Sequence, residues 1–147
     1  MTKKGCPTGW ELKNNRCIPL TKSARIDKIV FKTPIDWEKS RSGGHREVYI
    51  NSNQLKQLLK NKYISPDVEI NTRSNEPFIE FMKAYPQCEI QVGVPAPDRQ
   101  AKGEVLDIAA IRCDSKKVTK AMKNDFIDTF HAADDFEHRT DLKAWYD

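Results

Sequence analysis

Four groups of side chains in this 147-residue chain have types and spacings that chemistry could use. His131, Asp135 and His138 recur at i, i+4 and i+7, with Asp128 one turn earlier. On a helix that spacing stacks imidazole and carboxylate on one face, a ligand set suited to zinc or a harder transition metal. The plainer reading is a solvated acidic helix end, and no cofactor is expected. Glu89 and Asp107 are carboxylates in apolar stretches, with Gln91 close by, and two such carboxylates brought together could hold a cation for hydrolysis. Glu89, Gln91 and Asp107 are the candidate catalytic residues, although the leading expectation is no catalytic site. A carboxylate buried unpaired in a strand is costly, so Asp107 must either accept hydrogen bonds from Gln91 and its neighbours or border an open site. Lys39, Arg41, His45 and Arg46 lie in and beside a loop that also holds Trp37, Gly43 and Gly44, a composition that can touch phosphates or bases. The last group is the cysteines, four in number.

These residues depend on the elements that carry them. Cys88–Val94 alternates apolar and polar residues, as a half-buried strand does. Glu104–Cys113 places apolar residues on both alternating faces, which predicts a strand interior to a sheet. A hairpin closed at Val94 and Glu104 would set Gln91 opposite Asp107, with Glu89 diagonal to it. A long amphipathic helix is expected from about Ser115, burying Val118, Met122, Phe126, Phe130 and Ala133. Its other face would carry Lys117, Lys120, Asp128, His131, Asp135 and His138.

Upstream, Arg25–Lys32 reads as a strand by its β-branched and aromatic content, and Glu47–Asn51 as another. Ser52 caps a helix with Leu55, Leu58, Leu59 and Tyr63 on one face. Asp67–Asn71 is a short strand. A further helix spans about Glu76–Ala84, with Pro77 in its first turn, and Pro86 ends it. Thr140–Tyr146 is expected as a last helical turn. The sum is an α+β domain with a mixed β-sheet of about five strands and three helices, residues 24–147, preceded by a Cys-clipped β-hairpin and linker, residues 1–23.

In that hairpin, Cys6 and Cys17 flank a turn at Asn14 and Asn15, and Asn tolerates positive φ. The two cysteines therefore lie close, as a disulfide or half a metal site needs. Their separation is far from the two-to-four-residue spacing of zinc knuckles, and Cys88 and Cys113 read as buried thiols. Cys6, Pro7, Gly9, Arg16 and Cys17 resemble the two-cysteine adaptor segment of large DNA viruses. Cys6, Pro7, Gly9, Trp10 and Cys17 resemble the opening hairpin of long-form C-type lectin domains, although the later lectin strands have no counterpart here. A third resemblance joins Pro66 and Asp67 to Glu89, Ile90 and Gln91, in the manner of PD-(D/E)xK nucleases. It implies Mg²⁺-dependent cleavage, but Gln91 stands where that pattern has its lysine.

Charge is unevenly spread. The first 62 residues carry a net +9 and the remaining 85 a net −5. A basic N-terminal half is the footprint expected of a nucleic-acid binder. No run of 18 apolar residues occurs, and the N-terminus has no hydrophobic signal region. The expectation is a cytoplasmic or virion-associated protein with no membrane partner. The leading functional expectation is a small non-enzymatic binding or structural accessory protein, viral or mobile-element encoded, acting through protein–protein contacts. Nucleic-acid binding by the basic half is the alternative, and a metal-dependent nuclease-like hydrolase the second.

Overall fold

The computed structural model describes residues 5–39, 44–70 and 73–146. The chain opens on a hairpin of β1 (Trp10–Lys13) and β2 (Arg16–Pro19). Asn14 and Asn15 turn it with φ of 52° and 63°, the left-handed values that asparagine accepts best after glycine. The Cys6–Cys17 disulfide clips its base. Trp10 is buried, and the Gly9 carbonyl accepts from the Leu20 N–H at 2.8 Å, which ties the hairpin to the chain that follows.

That chain is helical, contrary to the expected strand at Arg25–Lys32. Helix α1 (Lys22–Val30) is capped by Thr21, whose side chain accepts from the Ala24 N–H. Ala24, Ile26, Asp27 and Val30 form its buried face, so the helical spacing outweighs the β-branched content. A single 3-10 turn (Trp37–Lys39) leads to β3 (His45–Ile50). Helix α2 (Ser52–Lys60) follows, and its cap is Asn51 rather than Ser52, in a reciprocal box with Gln54. A two-stranded ribbon, β4 (Glu69–Ile70) and β5 (Arg73–Ser74), precedes α3 (Glu76–Ala84). Then come β6 (Glu89–Pro95), the short α4 (Pro97–Ala101) and β7 (Asp107–Cys113). Helix α5 (Lys120–Phe130), β8 (Asp135–Glu137) and β9 (Leu142–Trp145) complete the chain.

The fold is α+β, with five α-helices among the described residues and a five-stranded sheet in the order β3-β6-β7-β9-β8. Every pairing in that sheet is antiparallel. The last helix is shorter than its sequence pattern suggests. It stops at Phe130, and the tail expected as a helical turn is strand β9. Asp135 lies in β8, so it does not share a helix face with His131.

One hydrophobic core joins the helices to one side of the sheet. Phe78, Phe81 and Met82 of α3 and Met122, Phe126 and Phe130 of α5 meet Ile90, Val92, Ile108 and Ile111 of the central strands. Cys88 and Cys113 lie in this core as a disulfide across β6 and β7, not as the free thiols expected. Nothing in their spacing signals the pairing, because it depends on which residues of the two strands end up opposite each other.

Candidate functional site: the uncovered face of the sheet

Alternation along a strand sends successive side chains to opposite faces, so the core side fixes what stands on the other. From β3 these residues are His45, Glu47 and Tyr49, and from β6 they are Glu89, Gln91 and Gly93. From β7 they are Asp107, Ala110 and Arg112, with Lys143 and Trp145 from β9. The helices that form the core all pack on the opposite side, and among the described residues no helix lies over this face.

The registers arrange the face in cross-strand rows. Tyr49, Gln91, Ala110, Trp145 and Asp135 make the middle row. Glu89, Arg112, Lys143 and Glu137 lie to one side of it, and Glu47, Gly93 and Asp107 to the other. A bulge separates the pairs Gln91–Ala110 and Val92–Ile108, with Ala109 as the extra residue of β7. It explains the apolar residues on both faces of this strand. Leu106 and Ile108 point to the core before the bulge, and Ile111 and Cys113 point to it after, so the phase of alternation changes.

All three candidate catalytic residues stand on this face, but they are not brought together. Glu89 accepts from Arg112 Nε at 2.9 Å, and the Arg112 guanidinium lies 3.7 Å from the Tyr49 ring centroid. Asp107 pairs with Arg73 Nη2 at 3.4 Å and lies opposite Gly93, not opposite Gln91 as the sequence suggested. Four residues of β6 separate the two positions, about 13 Å at strand rise. Carboxylates that share a cation must converge on it. Burial raises the Asp107 pKa, and the positive charge of Arg73 and the proximity of His45 oppose that shift. Tyr49 is likewise pushed up by burial, with Arg112 opposing. Gln91 Oε1 is buried without a hydrogen-bond partner.

The other predicted groups are dispersed. His131 ends α5, its Nδ1 3.1 Å from the Ile127 carbonyl oxygen, and the His138 ring lies 5.3 Å from that of Phe136. Among the described residues no three His, Cys, Asp or Glu side chains gather as a metal site. Lys39 pairs with Asp36 at 3.9 Å. Arg41 lies outside the described residues. His45 and Arg46 point to opposite faces of β3, and the Arg46 guanidinium lies 5.7 Å over the Trp37 ring.

Sequence reasoning missed Tyr49 and Arg112 as site residues and left Trp145 in a helical tail. The available signal was their position between core-facing neighbours: Val48 and Ile50, Ile111 and Cys113, Ala144 and Tyr146. No family model matches the chain, and comparison with curated proteins and with solved structures finds no similar protein.

Proposed function

We propose that this chain is a non-enzymatic binding protein that acts through protein contacts on the uncovered face of its sheet. The observation that carries the proposal is the joint presence there of Tyr49, Arg112 and Trp145, with 37 % of Trp145 exposed. Tyr, Trp and Arg are the residue types that most often dominate binding energy at protein interfaces. Antiparallel sheets usually solvate their open face with short polar side chains, so a half-buried tyrosine under an arginine and an exposed tryptophan depart from that pattern. Glu47, Glu89, Asp107, Asp135 and Glu137 share the face with Arg112 and Lys143, a balance that disfavours phosphate.

No described helix is long and apolar enough to cross a membrane. The two disulfides support an oxidising environment.

The test compares wild type with Tyr49→Ala/Trp145→Ala as immobilised baits in extracts of the source cells. A Val105→Ser variant, which alters an exposed apolar residue just before β7, serves as the control. Wild type and control should retain the same protein partner and the double variant should lose it, with unchanged circular dichroism. Equal retention by all three, or no retained protein, would overturn the proposal.

A further inference from the structure

Helices α1 and α2 pack side by side, with Gln54 Nε2 donating to the Ile29 carbonyl at 2.9 Å. Their buried faces are Ser23, Ala24, Ile26, Asp27 and Val30 on one, and Gln54, Leu55 and Leu58 on the other. At about 100° per residue, the opposite sides carry Arg25 and Lys28 on α1 and Lys56 and Lys60 on α2. Lys32 and Lys62 follow just beyond the two helices, and all six cations are exposed. Residues 22–32 and 52–62 hold a single carboxylate, Asp27, and it is buried. Among the described residues none of the six forms an ion pair. Arg25 is held by donating to the Leu20 carbonyl and the Tyr63 hydroxyl, each at 3.1 Å. In the C-terminal half Lys83, Arg99 and Arg112 each have a carboxylate within 3.4 Å, while Lys102, Lys116, Lys117, Lys120, Lys123, Arg139 and Lys143 form no ion pair among the described residues. What sets the face of α1 and α2 apart is that its two helices carry no exposed carboxylate.

We infer that this outer face of α1 and α2 binds nucleic acid through its phosphates, without reading base sequence. The remaining exposed residues of the two helices and their ends decide between polyanions. They are Thr21, Lys22, Asn51, Asn53, Gln57 and Asn61, none of them apolar, and the adjoining exposed apolar side chain, Leu20, lies before the Thr21 cap. A protein partner would need apolar or aromatic anchors at the centre of its interface. Lysine together with asparagine and glutamine is the set that contacts phosphate and sugar. Lysines four apart on a helix repeat about every 6 Å, and packed helices lie about 8–10 Å apart, so the two rows present a grid of charge. The surface differs from the loop of Lys39, Arg41, His45 and Arg46, and it is independent of the uncovered sheet face, which lies on the other side of the sheet.

The experiment follows binding to a fluorescein-labelled DNA duplex of about 20 base pairs and arbitrary sequence by anisotropy, between 50 and 200 mM salt. With about five phosphate contacts, affinity should fall several hundredfold over that range, and a second sequence should behave alike. Lys28→Gln/Lys56→Gln/Lys60→Gln should flatten the log–log salt slope by about 2.7. Lys116→Gln/Lys117→Gln/Lys120→Gln removes the same charge elsewhere and should leave the slope in place. The inference is overturned if wild type fails to bind at 50 mM salt, or if the two triple variants lose affinity equally. It is also overturned if poly-glutamate binds as tightly as DNA through the same three lysines, which would assign the face to an acidic protein.

Discussion

The Asp27 carboxylate accepts a hydrogen bond through Oδ2 from the Trp37 indole Nε1 at 2.9 Å, while its Oδ1 is buried without a partner. The bond joins α1 to the 3-10 turn before β3. Burial pushes the Asp27 pKa up to about 6, against the smaller opposing effects of the indole donor and Arg46. The group is satisfied on one oxygen only, and its charge is held at a cost.

The sign of the pH effect follows. The folded protein holds the Asp27 proton to higher pH than the unfolded chain, whose value is near 3.8. This group's contribution to stability is therefore complete below about pH 4 and is lost as pH rises through about 6. The loss is on the order of 3 kcal/mol. Asp27→Asn keeps an oxygen for the indole and removes the titration. Its urea-unfolding free energy should exceed that of wild type at pH 8 and change less between pH 4 and pH 7. An unchanged slope in that window would show that Asp27 is not its source.

A second prediction concerns Gly93. A Cβ at this position would come 2.6 Å from Asp107 Oδ1 and 3.4 Å from His45 Cδ2. Gly93→Ala should destabilise the fold by about 1–3 kcal/mol, the usual range for overpacking. Asp107→Ala in the same chain removes the clashing oxygen. The double variant should then be more stable than the sum of the single effects predicts, by at least about 0.5 kcal/mol. Additivity would mean that the obstruction lies in the backbone.

The cross-links make a third. No cysteine of the purified protein should alkylate before reduction, and all four should after it. Cys88→Ala/Cys113→Ala opens a loop of 25 residues and should cost about 3–4 kcal/mol. Cys6→Ala/Cys17→Ala opens one of 11 and should cost about 2–3 kcal/mol. Equal denaturation midpoints for wild type and both variants would refute a stabilising role.

Elements with a strong local signal were legible. The hairpin turn at Asn14 and Asn15, α2 with its Leu55–Leu58 face, and α3 with its early proline all follow from short-range chemistry. So does the burial of Met122, Phe126 and Phe130. Misread segments were those in which tertiary context sets the answer. Helix α1 carries β-branched residues at helical spacing, and the docking of α2 against it favours the helix. Strand β9 is too short to declare itself and takes its form from pairing with β7 and β8. The bulge at Ala109 mimics a strand covered on both sides. At the candidate site, alternation alone placed Glu89 and Gln91 on one face. Their partners were hidden, because Arg112 meets Glu89 only in the register that the bulge creates, and Arg73 reaches Asp107 from a separate ribbon.

The disulfide between the two central strands also governs how the chain would respond to pulling. Force applied at the termini reaches the sheet through β3 and β9, which flank the cross-linked pair β6 and β7. The covalent bridge carries tension past the intervening 25-residue loop, including α4. At roughly 3.4 Å per residue, about 85 Å of contour length is withheld from extension until the bridge is reduced. A stretched molecule would thus shed its edges while its middle stayed tethered, and a reductant would release that length as an increment separate from the shorter one withheld by the Cys6–Cys17 bridge.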